Sequence, residues 1–127
     1  MTSKIILLFG IFFCGLSVVL GAFGAHALKD KISSYYLEIY EKAIFYQFIH
    51  GIGILLISSL KYNDIDFTFS LWCFIIGIFL FSGSLYILSL TGIKWLGAIT
   101  PFGGTLFVIG WFSIFYKFFI IKFEGYL

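Results

Sequence analysis

Between Ile5 and Ala25 the chain carries no charged side chain, an apolar stretch of about 21 residues. At about 1.5 Å of rise per residue, a helix of that length crosses the roughly 30 Å hydrocarbon core of a bilayer. Three further apolar stretches follow, and only short polar segments separate them. The expected spans are about 5–25, 43–60, 67–90 and 96–119. Composition points the same way. Apolar residues make up 61% of the chain and charged residues 11%, against about 45–50% and 25% in soluble domains. Too few polar side chains remain to coat a surface in water. The expected fold class is all-α, a four-helix transmembrane bundle forming a single domain over residues 1–127.

The first stretch has a rival reading as a secretory signal peptide, with Lys4 as its basic region and Ala25-His26-Ala27 resembling a cleavage site. The stretch exceeds the usual 7–15 residues of such a peptide, and more membrane spans follow it. A lipoprotein anchor at Cys14 fares worse, because Phe13 stands where a small residue belongs. Cys14 and Cys73 are isolated in apolar runs and read as small apolar side chains.

Ser33 to Lys42 alternates Tyr35, Tyr36, Ile39 and Tyr40 with Glu38, Glu41 and Lys42. That pattern suits a short amphipathic segment at the membrane interface, between the first two spans. Glu38 and Lys42 stand four apart, close enough to meet on one helix face. Neither Pro nor Gly interrupts Ser33 to His50, so the segment should run on into the second span. Lys61 to Asp66 forms a polar turn. Pro101 follows Thr100, a good first helical residue behind a cap, or a kink if the helix begins at Trp95.

Short connections make sequence neighbours antiparallel, in an up-down bundle with both termini on one side. Lys4, Lys61, Lys117 and Lys122 then share that side, while Lys29, Lys31, Lys42 and Lys94 share the other. Equal numbers give the positive-inside rule nothing to act on. The net charge of +2, with no Arg and no basic run, excludes a nucleic-acid partner.

Helices in lipid associate where small residues let backbones approach. Ser17, Gly21 and Ala25 recur every fourth residue in the first span. Gly83, flanked by Ser82 and Ser84, and the pair Gly103 and Gly104 offer similar points later. These mark packing within the bundle, or alternatively a face for a homo-oligomer. Ionisable groups at membrane depth are costly, so they raise a functional question. His26 ends the first span, and His50 lies two turns into the second, with Tyr46 and Gln47 four and three residues before it, so that all three should share one helix face. Antiparallel packing puts all of them, with Glu41, in the same membrane half. The bland reading is a hydrogen-bonded cluster that pins two helices together, in which case either His26→Ala or His50→Ala should lower thermal stability.

The sharper readings ask for more than these residues supply. A proton relay needs both histidines and Glu41 along one wet path. Haem needs the histidines on opposite faces of a porphyrin, and zinc prefers compact ligand spacing. No Ser-His-acid set, phosphate-binding glycine loop or zinc-protease helix is present, so the reading is neither an enzyme nor a cofactor protein.

Five pieces occur in order along the chain: Gly21-Ala-Phe-Gly-Ala-His-Ala-Leu28, Tyr46-Gln-Phe-Ile-His50, Phe81-Ser-Gly-Ser-Leu-Tyr86, Thr100-Pro-Phe-Gly-Gly104 and Gly110-Trp111. Together they resemble the domain-of-unknown-function 423 family, also called uncharacterised protein family 0382. Its members are small bacterial inner-membrane proteins related to eukaryotic transmembrane protein 256. The resemblance covers most of the chain, leaving Lys117 to Leu127 without a motif. It implies a multi-pass inner-membrane location and fold, and brings no chemistry with it. The expected role is a structural or accessory protein that binds membrane lipid or a membrane-protein partner. The alternative is a small oligomeric transporter or proton-coupled carrier using His26 and His50.

Overall fold

A computed structural model describes residues 4–60 and 64–124, and the four expected spans appear as four long helices. Helix α1 runs Lys4–Phe23 and continues through a π-helical turn, Gly24–Leu28. Helix α2 runs Ser34–Ser59, α3 runs Thr68–Thr91 and α4 runs Thr100–Glu124, with a 3-10 turn, Lys94–Ala98, ahead of α4. All four are long and apolar enough to cross a membrane. Of the expected polar turn, Lys61, Tyr62 and Asn63 lie outside the described residues, as does the Lys122 side chain.

Local chemistry sets the helix ends. The Ser33 side chain accepts the Tyr36 backbone N–H and caps α2, so the amphipathic segment is that helix's own opening turns. Gly92 ends α3 at φ 72°, a left-handed conformation that favours glycine, and its N–H reaches the Leu88 carbonyl. Pro101 is the second residue of α4, where no intrahelical N–H is lost. Thr100 does not spend its hydroxyl on its own helix N-terminus. Its Oγ1 lies 2.7 Å from Ser84 Oγ and ties α4 to α3.

Each helix packs chiefly against its neighbours in sequence: α1 on α2, α2 on α3, and α3 on α4. The α3–α4 seam interlocks large residues with glycines. Phe107 of α4 sits over Gly77 of α3, while Phe74 and Phe81 of α3 sit over Gly110 and Gly103 of α4. Seam residues Gly103, Phe107, Gly110 and Ile114 are spaced four, three and four apart, the repeat of a left-handed helix pair. Gly103 is thus a contact point, Gly104 only touches Phe81, and a Cβ added at half-buried Gly83 would meet no neighbour. Gly83→Ala should therefore stabilise α3 by about 0.5–1 kcal/mol, the helix-propensity gain alone, in reversible unfolding from detergent micelles.

The α1 stripe also differs from expectation. Its buried line is Ile6, Gly10, Phe13, Ser17, Gly24 and Leu28, so Ser17 belongs to it. Gly21 is only half-buried and Ala25 is exposed. The reason is geometric. A step of four residues overshoots a full turn by about 40°, so two such steps carry Ala25 roughly 80° away from Ser17. Gly24, seven residues on, returns to the contact line, where a Cβ would lie 2.5 Å from the Tyr40 ring. Cys14 meets Gly51 of α2 and Cys73 is buried in α3, so both thiols act as packing atoms.

At the terminal side of the bundle, Asp66 Oδ1 accepts the Thr68 N–H at 2.9 Å and caps α3. Lys117 of α4 donates to the Asp66 carbonyl and sits 5.8 Å from the centre of the Phe67 ring. The side-chain and backbone bonds from Thr68 hold the Asp66 carboxyl below its ordinary value of 3.8, with Lys117 assisting. Since the folded value is the lower one, this cap contributes fully above that pH and is lost as pH falls beneath it. The group is exposed, so the loss is small. Asp66→Asn should shrink the drop in melting temperature between about pH 6 and pH 3, and an unchanged drop would refute the cap.

Candidate functional site

Three polar side chains of α2, Tyr46, Gln47 and His50, lie at membrane depth, and the helix sends them in two directions. Tyr46 and His50 are about 40° apart around the axis, whereas Gln47 is turned about 100° from Tyr46. They do not share the single face expected from sequence.

Gln47 is buried and points into the bundle. Its Nε2 donates to the Phe13 carbonyl of α1 at 3.0 Å, and its Oε1 accepts the Tyr86 hydroxyl of α3 at 2.9 Å. The Ser17 hydroxyl also donates to the Phe13 carbonyl, at 2.7 Å. One amide thus joins three helices. The Tyr86 ring leans edge-on against Tyr40, 5.4 Å between centres, and the Tyr40 hydroxyl donates to the Leu20 carbonyl at 2.6 Å. Gly24 makes room for that ring. A fourth tie comes from Ser82, which donates to the Ala43 carbonyl at 2.7 Å. Tyr86→Phe and Gln47→Leu should each reduce stability by about 0.5–2 kcal/mol. They break a shared bond, so the double variant should lose less than the sum. Strict additivity in the cycle would mean that the bond contributes nothing.

His50 turns instead toward α4. It is buried, and its ring stacks on Phe107 with 3.6 Å between centres and planes 9° apart. Nδ1 lies 2.8 Å from the Tyr46 carbonyl, and Nε2 lies 3.0 Å from the indole nitrogen of Trp111. A carbonyl can only accept and an indole N–H can only donate. The ring is therefore neutral, with its proton on Nδ1 and its Nε2 lone pair taking the Trp111 N–H. Both nitrogens are committed. Neither is left for haem iron, a metal ion or a travelling proton.

The other cluster members stand elsewhere. His26 is exposed on the π-helical turn. Glu41 is exposed beside a pocket of about 200 Å³ lined by Gly21, Gly24, Ala25 and Tyr40. Among the described residues, no three His, Cys, Asp or Glu side chains gather. The Phe13 carbonyl, Tyr86, Phe107 and Trp111 replace His26 and Glu41 as the partners of Gln47 and His50. Trp111 and Tyr86 both stand in sequence pieces that resemble the family, but nothing in their spacing pairs them with α2.

Four apolar helices, a Gly24–Tyr40 contact and a His50–Trp111 bond account for most of those pieces. A profile described as "Protein of unknown function (DUF423)" matches residues 20–104. The chain belongs to the DUF423 family. A UPF0382 membrane protein of Staphylococcus epidermidis is 47% identical over 109 residues, covering 85% of this chain and 89% of the relative. UPF0382 membrane protein YwdK of Bacillus subtilis is 44% identical over 114 residues, covering 87% and 93%. UPF0382 membrane protein SH2409 of Staphylococcus haemolyticus is 44% identical over 112 residues, covering 87% and 92%. No solved structure matches the chain. For this DUF423 member, the relatives and the four helices agree that it is an integral membrane protein.

Proposed function

We propose that this DUF423 protein is a non-catalytic accessory protein of the plasma membrane that binds lipid or a membrane partner. The observation that carries the reading is the engagement of the two large polar side chains that α2 buries, although the small Ser70 hydroxyl of α3 is buried without a partner. Gln47 is engaged on both ends of its amide and His50 on both ring nitrogens. Chemistry needs a group with capacity to spare, whereas these side chains serve as joints between helices. Helical spans, as opposed to an outer-membrane barrel, support a plasma-membrane location. A carrier using His26 and His50 would need them along one path, but His26 is exposed and His50 is buried against α4.

Native mass spectrometry of the protein released from its own membrane in mild detergent tests the reading. Retention of a lipid or a protein partner is the expected result. A bare protein that also shows pH-dependent flux in liposomes would overturn it in favour of the carrier.

A further inference from the structure

Helices α2 and α4 flank α3 and leave between them an open groove of about 690 Å³. That volume falls within the roughly 300–1,000 Å³ range of small-ligand sites. We propose that the groove holds one acyl chain of an anionic phospholipid, with the headgroup at the Lys42–Lys94 end. The proposal rests on the lipid-binding reading above and narrows it to one place and one lipid class.

Depth is the first argument. The groove extends along α4 from Pro101, at the start of the helix, to Phe112. Eleven steps of about 1.5 Å make about 16 Å, half of a 30 Å hydrocarbon core. It therefore begins at one interface and ends near the bilayer midplane, the reach of a chain from a single leaflet.

The lining is the second. Its polar atoms are largely spent internally: the Thr105 hydroxyl donates to the Pro101 carbonyl at 2.8 Å, and Trp111 donates to His50. What remains is hydrocarbon and ring surface. A second helix would need small residues to approach closely, yet the rim carries Tyr46, Phe81, Trp111 and Phe112. Gly104 is the one glycine there. A thin, flexible chain fits such a slot, and a helix does not.

Charge is the third. Lys42 lies four residues before Tyr46 on the same face of α2, one turn nearer the interface, and is exposed. Lys94 stands in the turn that leads into α4, next to the exposed ring of Trp95. Glu38 lies one turn farther out on the Lys42 face. Glu41 borders the separate pocket against α1. Two exposed cations thus stand at the interfacial end of the two helices that line the groove, and each attracts anionic headgroups.

Trp111 supplies the reporter. In a Trp72→Phe/Trp95→Phe chain, Trp111 is the only indole, and bromine on lipid acyl chains quenches it by contact. The chain is reconstituted in phosphatidylcholine vesicles containing a minor fraction of brominated lipid, either phosphatidylglycerol or phosphatidylcholine. Brominated phosphatidylglycerol should occupy the site about fivefold more readily per cation. Lys42→Gln should lower that preference by about the same factor. Gly104→Leu, whose Cβ would stand an ordinary 3.7 Å from Phe81, should fill the slot and return quenching to the level of random contact.

Equal quenching by both lipids, unaffected by Gly104→Leu, would overturn the groove site. Trp111 shielded from both lipids would overturn it too, and would assign the groove to a second copy. If native mass spectrometry still finds a bound lipid in either case, the lipid-binding reading stands and only its location fails.

Discussion

His50→Ala is expected to destabilise the bundle in detergent by about 2–4 kcal/mol, whereas His26→Ala should leave melting unchanged. His50 fills the space between Phe74 and Phe107 and makes two hydrogen bonds. Truncation removes a stacked ring and leaves the Trp111 N–H without its acceptor in an apolar setting. His26 has an exposed side chain, and its removal uncovers nothing. His50→Phe separates the two contributions, because it keeps the stacking and loses both bonds. An intermediate loss is expected. Equal losses for His26→Ala and His50→Ala would restore the single cluster that the sequence suggests.

Gly103→Ala should be the most damaging addition of a single methyl group. A Cβ there would lie 2.4 Å from the Phe81 backbone nitrogen and 2.8 Å from the Gly77 carbonyl oxygen. Both obstacles are main chain, so no rotamer change can relieve them and α3 must move away from α4. Overpacking of this kind costs about 1–3 kcal/mol or more. Gly104→Ala, one residue on, meets Phe81 only at 3.7 Å and should be near neutral. Thermal unfolding of the two variants side by side is decisive. Similar melting for both would mean that the α3–α4 seam is looser than its interlocked rings imply.

The four spans were legible because length and apolarity are local properties of a segment, and bilayer thickness fixes the length they must have. The Ser33 cap and the Gly92 stop obey rules that are equally local, since each involves only adjacent turns. Partners across helices could not. Gln47 and His50 are three residues apart, yet one serves α1 and α3 while the other serves α4. That choice depends on the rotation of α2 against three neighbours, which its own sequence hardly encodes when apolar residues surround the helix. The Ser17–Gly21–Ala25 stripe failed for a related reason. Spacing by fours is close to the helical repeat, but its error accumulates to roughly 80° over two steps. His26 and Glu41 share a membrane half with His50, but depth alone says nothing of which way a side chain turns.

The packing of each helix on the one before it bears on how the chain is made. The hairpin of α1 and α2 can close as soon as both have left the ribosome, with Gln47 already bonded to Phe13. His50 must wait, because the donor for its Nε2 is on α4 and is synthesised 61 residues later. Until α4 arrives, a polar nitrogen faces lipid or the insertion machinery, where an unmet hydrogen bond is costly. A nascent chain cut short before Trp111 keeps that nitrogen unpaired, so the hydrogen bonding of His50 inside the bundle is complete only once α4 is in place.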